Sequence, residues 1–191
     1  MANIDNIIPH IIKWEAATKG QNMTNEQLFD KAKLNGYAND HNDRGGATMV
    51  GITIATYTAY RRKKGFKTTT VADLKAIDYK TWRDVLKVLF WDRWKADQIN
   101  NQSLAELVVD WMFGSGKWGI INPQQCLGVA DDGIVGAKTI AAINTCDQEA
   151  MYNKIWKRRK NFYYGIVAKN PSQKKWLHGW LNRLNDQHYD K

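Results

Sequence analysis

The chain has 191 residues, 43% of them hydrophobic and 12% aromatic, with nine Trp; this composition can bury a real core and excludes a disordered chain. Its formal charge of +9 and pI near 9.5 suit an anionic partner, whether nucleic acid, membrane headgroups or an acidic wall polymer. The two cysteines, Cys126 and Cys146, form no CxxC pair and have no His at ligand spacing beside them, which argues against a zinc site; both fall in apolar helical patterns, so free thiols are expected and a disulfide framework is not indicated.

The opening MANIDNIIPHIIKWE carries no basic n-region and no long apolar core, so it does not read as a signal peptide. No run approaches the roughly 20 apolar residues of a membrane span. The product is expected to be made in the cytoplasm without membrane insertion, and to act outside only after release or non-classical export. Ile4, Ile7, Ile8, Ile11 and Ile12 have the spacing of an amphipathic helix. Asp5 or Asn6 is placed to cap it, Pro9 to fall in or near its first turn, and Gly20 to lie just beyond its end. Residues 24–34 predict a short helix opened by a Thr24/Gln27 capping box. Residues 35–53, NGYANDHNDRGGATMVGIT, make a poor helix and a poor strand.

A helix is expected from about Ile54 to Lys64, with the RRKKGFK run as its solvated end and loop. Asp78 opens another through DYKTWRDVLKVLFWDRW, with Trp82, Val85, Leu86, Leu89 and Phe90 inward. Ser103 and Glu106 form a capping box before SLAELVVDWMF, with Leu104, Leu107, Val108, Trp111 and Met112 as its apolar set. Pro123 occupies a natural first helical position. GVADDGIVG reads as a tight turn that could hold a two-stranded hairpin. Helices over about 136–144, 147–168 and 172–187 follow, the last capped by Ser172. The fold class is all-α, with at most one small β-hairpin, and with no linker, repeat or low-complexity tract.

One residue stands apart. At about 100° per residue, Glu15 falls on the stripe of Ile8, Ile11 and Ile12, facing the core or the floor of a cleft. Burial disfavours the charged form of a carboxylate, and a carboxyl that keeps its proton is what general-acid chemistry requires. An end-of-helix Glu paired with one of the 28 basic residues fits the same pattern. Glycoside hydrolysis also needs a second polar group to steady positive charge or activate water. Residues 35–53 offer Asp40 and Asp43 with Thr48 and Thr53, and Gly45-Gly46 would let the backbone approach a sugar chain. Taken alone, the same stretch reads better as a solvated array of Asx-turns.

These residues resemble the signature of the glycoside hydrolase family 108 lysozymes, N-acetylmuramidases also described as secretion-activator-like or phage-endolysin-like. That signature runs from a helix ending in Glu through Gly-Gly-Tyr, Asn-Asp, a further Asp and Gly-Gly-Ala-Thr to Gly-Ile-Thr. Here it is Trp14-Glu15, Gly36-Tyr37, Asn39-Asp40, Asp43, Gly45-Gly46-Ala47-Thr48 and Gly51-Ile52-Thr53. The second half is similar to the family's peptidoglycan-binding region, through Phe90-Trp91-Asp92, a helix around Asp110, Gln124 to Val129, Asp132-Gly133, Gly136 to Thr139, Arg159 to Tyr164 and Gly179 to Arg183.

The resemblance implies a lysozyme-like fold. Residues 1–94 would form the catalytic region, with an insertion at about 16–35, and residues 95–191 a peptidoglycan-binding-like region packed on it as one unit. It implies cleavage of the β-1,4 bond after N-acetylmuramic acid, with Glu15 as general acid. Asp40 or Asp43, with Thr48 or Thr53, would position water or stabilise the oxocarbenium-like state. Tyr37, Asn39, Gly45, Gly46 and Asp110 would contact substrate, with no metal and no cofactor. The implied partner is the peptidoglycan glycan strand, not nucleic acid, and the implied state a monomer acting on the wall or in the periplasm.

The chain departs from the pattern in two places. Ala16 follows Glu15, and about twenty residues, with the alternative carboxylates Glu26 and Asp30, separate it from Gly36-Tyr37. Phe113-Gly114-Ser115-Gly116 lacks the family's Asn. Two other classes stay open: a non-catalytic wall-binding or secretion-associated protein on the same scaffold, and a basic nucleic-acid binder built on Arg61-Arg62-Lys63-Lys64 and Lys157-Arg158-Arg159-Lys160. No recognition-helix motif supports the second.

Overall fold

In the residues that the computed structural model describes, 1–39 and 46–190, ten α-helices and one small sheet are distributed over two units. One unit is Ile4–Leu89; the other is Met1–Asn3 together with the chain from Phe90 onward. The mainly helical, lysozyme-like class expected from the sequence holds. The β-structure, however, lies within residues 37–53 and not at 128–136.

The first unit contains α1 (Ile4–Ala16), α2 (Asn25–Lys33), β1 (Tyr37–Ala38), β2 (Thr48–Met49), β3 (Ile52–Thr53), α3 (Ile54–Lys63), α4 (Val71–Lys75) and α5 (Tyr79–Leu86). The five isoleucines of α1 are all buried. Pro9 lies inside α1 rather than in its first turn. Lacking an N–H, it leaves the Asp5 carbonyl without its helical partner, and the Asn25 side-chain amide of α2 donates to that carbonyl instead, at 2.9 Å. Asp5 does not cap the helix; its carboxylate accepts from Arg83 Nε at 2.7 Å and Nη2 at 2.9 Å. The insertion therefore belongs to the core. The Thr24/Gln27 capping box forms as expected, and Phe29 of α2 packs its ring 5.4 Å from Trp82 and 5.9 Å from Tyr79.

A further capping box, Thr70 with Asp73, opens α4; the T-x-x-D signal stands in the sequence just after the basic run, in a stretch for which no element was expected. α5 runs into a π-helical turn over Lys87–Trp91. The extra residue of a π-turn shifts the helical phase, so Leu89 and Phe90 are only half-buried while Trp91 and Trp94 turn fully inward.

Four carboxylates held below their ordinary pKa, Asp5, Asp73, Asp78 and Asp84, tie the first unit's stability to pH. Arg83 hydrogen-bonds Asp5 and holds it below the usual carboxylate value of 3.8. Burial alone would raise Asp84, but the Lys64 ammonium at 2.7 Å and the Tyr60 hydroxyl at 2.6 Å outweigh it and bring it below 3.8 as well. A depressed folded pKa contributes stability that is complete above the unfolded value and disappears as pH falls through the folded one. The Asp5 and Arg83 side chains are 41% and 32% exposed, so screening limits their bridge to about 0.5–1 kcal/mol. The urea midpoint is expected to be level from about pH 7 to 5 and to fall below pH 4, with a smaller fall in Asp5→Asn. An unchanged fall in that variant would show that the bridge adds nothing.

The second unit contains α6 (Gln102–Ser115), α7 (Trp118–Leu127), α8 (Ala137–Thr145), α9 (Gln148–Lys169) and α10 (Lys174–Asn185). Asn101, not Ser103, caps α6, its Oδ1 accepting from Leu104 N–H at 2.9 Å. Ser103 is buried and its Oγ accepts from the Asp190 N–H, while Glu106 accepts from Gln102. α7 starts five residues before Pro123, which lies inside it. The carbonyl orphaned by this proline, that of Gly119, accepts from the Trp94 indole at 3.2 Å. At Gly119 α7 lies directly against the backbone of α6: a Cβ there would run into Met112 and Trp111.

The expected hairpin at 128–136 is instead a loop wound on the buried Gln124. Its amide donates to Asp132 Oδ1 at 3.1 Å and to the Ile134 carbonyl at 3.0 Å, and its Oε1 accepts from Gly133 N–H at 2.9 Å. Gly133 does adopt the expected positive φ, of 76°. Asn170, not Ser172, caps the last segment, a 3₁₀ turn over Pro171–Gln173 that leads into α10. Both cysteines are free, Cys126 buried and Cys146 half-buried at the end of α8. Among the described residues no helix is long and apolar enough to cross a membrane.

Candidate active site

The three short strands are antiparallel in the order β1-β2-β3. Tyr37 faces Met49 and Ala38 faces Thr48; Thr48 faces Thr53 and Met49 faces Ile52. Residues directly opposite one another share a face of the sheet. Met49 and Ile52 are buried, so Tyr37 shares the inward face, and Ala38, Thr48 and Thr53 share the outward one. The sheet thus brings the two candidate threonines side by side and sets Tyr37 apart from them. The Tyr37 ring is covered by the Lys75 ammonium, 4.0 Å from its centroid.

Two residues join β2 to β3, Val50 with φ 43° and Gly51 with φ 76°. Positive φ at both central positions is the requirement of a type I′ hairpin turn. Glycine meets it at no steric cost, but a β-branched residue is strained there, and such strain persists only where the surroundings over-determine it. They do so here. Val50 N–H donates to the Gly36 carbonyl at 2.9 Å, the Trp82 indole donates to the Val50 carbonyl at 2.9 Å, and the Val50 side chain is fully buried.

The strained turn delivers the Gly51 backbone onto Glu15. A Cβ at Gly51 would lie 2.5 Å from Glu15 Cγ and 2.8 Å from its Cδ and Oε2. Glu15 occupies the last turn of α1 and is half-buried, one turn beyond the fully buried Ile11 and Ile12. Its carboxylate therefore rests against the turn that links Thr48 to Thr53. Gly51→Ala is expected to cost about 1–2 kcal/mol of stability through backbone strain. It should also lower activity on the order of 100-fold, because a displacement of about 1 Å at a reacting group has that effect. Melting and turnover measured together check this; full activity in Gly51→Ala would show that the contact places nothing.

The threonines are not equivalent. Thr53 caps α3: its Oγ1 accepts from Thr56 N–H at 3.2 Å and lies 2.9 Å from Thr56 Oγ1. Thr48 Oγ1 donates to the Gly46 carbonyl at 3.2 Å, which leaves its oxygen able to accept from a water or a sugar hydroxyl. Gly46 has φ 63°, and Asn39 is exposed just beyond β1. Asp40, Asp43 and Gly45 lie outside the described residues. The alternative acids Glu26 and Asp30 are exposed on α2, Glu26 lining a separate surface groove with Tyr60, Tyr79 and Arg83.

Asp110 belongs to the other unit and has no exposed surface. Its Oδ2 accepts from Arg159 Nη2 at 2.7 Å and its Oδ1 from Arg183 Nη2 at 2.7 Å. It is the centre of a buried ion triad, with no face from which to touch a sugar. The basic runs are partly structural as well: Arg61 pairs with Asp73 at 3.1 Å, Lys64 with Asp84, and Arg159 is buried in the triad. Among the described residues no three His, Cys, Asp or Glu side chains are grouped to hold a metal ion.

The Glycosyl hydrolase 108 family model matches residues 10–116, and the model of the Predicted Peptidoglycan domain matches residues 119–185. The solved "Structure of Brucella abortus SagA" is similar at 24% identity, covering 95% of this chain and 89% of that one with a TM-score of 0.72. At that identity the likeness is one of fold. No curated protein matches the chain.

Proposed function

The chain belongs to the glycosyl hydrolase 108 family, and from that premise we propose that it is an N-acetylmuramidase in which Glu15 is the general acid. Its family and its peptidoglycan-domain segment make it a lysozyme-like protein of the bacterial wall polymer. The finer assignment rests on one observation: the Glu15 side chain lies against Gly51, in a strained turn joining the two strands that carry Thr48 and Thr53.

In this reading the Glu15 carboxyl gives its proton to the glycosidic oxygen as the bond to the N-acetylmuramic acid anomeric carbon breaks. Positive charge develops on that carbon and its ring oxygen, and water adds to it. Asp40 or Asp43 takes the proton from that water or steadies the charge, and Thr48 orients the water through its acceptor lone pairs. Thr53 acts indirectly, as the cap that fixes the start of α3 beside the turn. No step calls on a metal. Residues 1–94 carry the hydrolysis and residues 95–191 hold the wall, where the protein acts after leaving the cytoplasm.

Zymography on purified peptidoglycan with wild type and Glu15→Gln side by side tests the assignment. Clearing by wild type alone is expected. Equal clearing by both would remove Glu15 from the mechanism. No clearing by either would favour a non-catalytic wall-binding protein on this scaffold.

A further inference from the structure

The geometry points to a second ligand site, in the unit that follows Phe90: a groove between α7 and α9 that binds the carboxylate-bearing peptide stems of peptidoglycan. The groove has a volume of about 510 Å³. Trp118, Ile121, Phe162 and Ile166 form its apolar side, and Arg158 and Lys169 its cationic side. The inference deepens the wall-polymer reading and rests on it, but not on the chemistry at Glu15.

The apolar side is built to stay in place. Trp118 is 47% exposed, at the start of α7. Its ring lies 6.5 Å from Phe162, which is braced 5.7 Å from the fully buried Trp111 in an edge-on pair. A large aromatic left half in water beside a fixed second ring is a surface for a ligand with apolar groups.

The cationic side is oriented without being neutralised. Arg158 Nε donates to Asn122 Oδ1 at 2.9 Å, and its Nη2 donates to Gln125 Oε1. Both acceptors are neutral amides, and both are themselves held: Asn122 Nδ2 donates to the Trp118 carbonyl at 2.9 Å and Gln125 Nε2 to Asp131 at 2.7 Å. Among the described residues no carboxylate pairs with Arg158 and no acidic side chain lines the groove. A guanidinium aimed by amides keeps its full charge and its preference for a planar carboxylate. An adjoining hollow of about 250 Å³ extends the basic strip along α9 through Lys154 and Lys157.

The occupant must combine free carboxylates with small apolar groups along an extended chain. Wall stem peptides do so, with alanine methyls alternating with carboxylates. The glycan backbone itself offers hydroxyls and acetamides, because in the wall the lactyl carboxyl of N-acetylmuramic acid is tied up in the amide to the stem peptide; an N-acetylglucosamine oligomer therefore gives the two cations no carboxylate to bind.

The test is calorimetric titration of the full chain carrying Glu15→Gln, so that nothing is hydrolysed. The ligands are a disaccharide-tetrapeptide, the same fragment with its carboxyls amidated, and a peptide-free N-acetylglucosamine tetramer. The tetrapeptide fragment is expected to bind saturably. Trp118→Ala, Arg158→Gln and amidation of the ligand should each weaken it at least about tenfold, and the peptide-free tetramer should bind at least as weakly. Lys169→Gln, at an exposed position that carries no fold, should weaken it about threefold and keeps the test valid if Arg158→Gln disturbs the helices. Equal affinity for the amidated fragment or the bare glycan, or unchanged binding in both Trp118→Ala and Lys169→Gln, would overturn the site. Loss of wall clearing by the wild type bears on Glu15 alone, since this binding is measured without turnover.

Discussion

An Asp110→Ala variant will lose about 3–5 kcal/mol of folding stability, with a melting temperature lower by roughly 6–20 °C. The arithmetic follows from what the carboxylate does. Asp110 is fully buried and Arg159 is 1% exposed; Arg183 reaches the same carboxylate from α10 at 14% exposure. Each oxygen of Asp110 accepts from a guanidinium. Arg159 is further committed to the Tyr163 hydroxyl at 2.7 Å and to Gln187 Oε1 at 3.2 Å, so it cannot swing out to water when its counter-charge goes. Truncation leaves two positive charges inside, which is the costly way to break a buried pair. Replacing Asp110, Arg159 and Arg183 together by apolar residues should cost much less than the three single losses added up, because the charges act as one network. A single-variant loss under about 1 kcal/mol would show that the triad does not hold α6, α9 and α10 together.

Glu15→Gln will leave the fold untouched and remove the activity. Gln keeps the size and shape of Glu at a half-buried position, so stability should change by no more than about 0.5 kcal/mol. It has no acidic proton to give. Loss of a general acid typically lowers turnover about 10²–10⁴-fold, which is roughly 2.7–5.5 kcal/mol in the barrier. The contrast with Asp110→Ala is informative. One variant is folded and inactive; the other is inactive in proportion to the fraction unfolded. Turnover per folded molecule separates them, and an unfolded Glu15→Gln would mean that the carboxylate is structural.

Much of this was legible in residue pattern. The isoleucine stripe of α1, the Thr24/Gln27 box and the later helices are local signals, and local signals are read reliably from spacing. Where the reading missed, a distant group had replaced a local one. Pro9 and Pro123 looked like helix starts because a proline inside a helix orphans a carbonyl. The structure supplies Asn25 and the Trp94 indole to those two carbonyls, 20 and 25 residues away. The 128–136 turn looked like a hairpin because Asp132-Gly133 is hairpin chemistry, yet a single buried Gln124 takes the hydrogen bonds that a ladder would have made.

The site divides along the same line. Glu15 stood out because a carboxylate interrupted an apolar stripe. The role of Gly51 could be seen only once the turn was folded, since nothing in the Met-Val-Gly sequence says that a valine will be held at positive φ by an indole from α5. Asp110 was named only through the resemblance, and its two arginine partners, 49 and 73 residues on, could not be read from the helix around it.

The central claim is tested most directly at the new chain ends. Purified peptidoglycan digested with wild-type protein is reduced with borohydride, and the soluble fragments are analysed by mass spectrometry. An N-acetylmuramidase leaves N-acetylmuramic acid at the reducing end, so its reduced alcohol should terminate every fragment, and Glu15→Gln should release none. Fragments ending in reduced N-acetylglucosamine, or the same fragments from Glu15→Gln, would contradict the account.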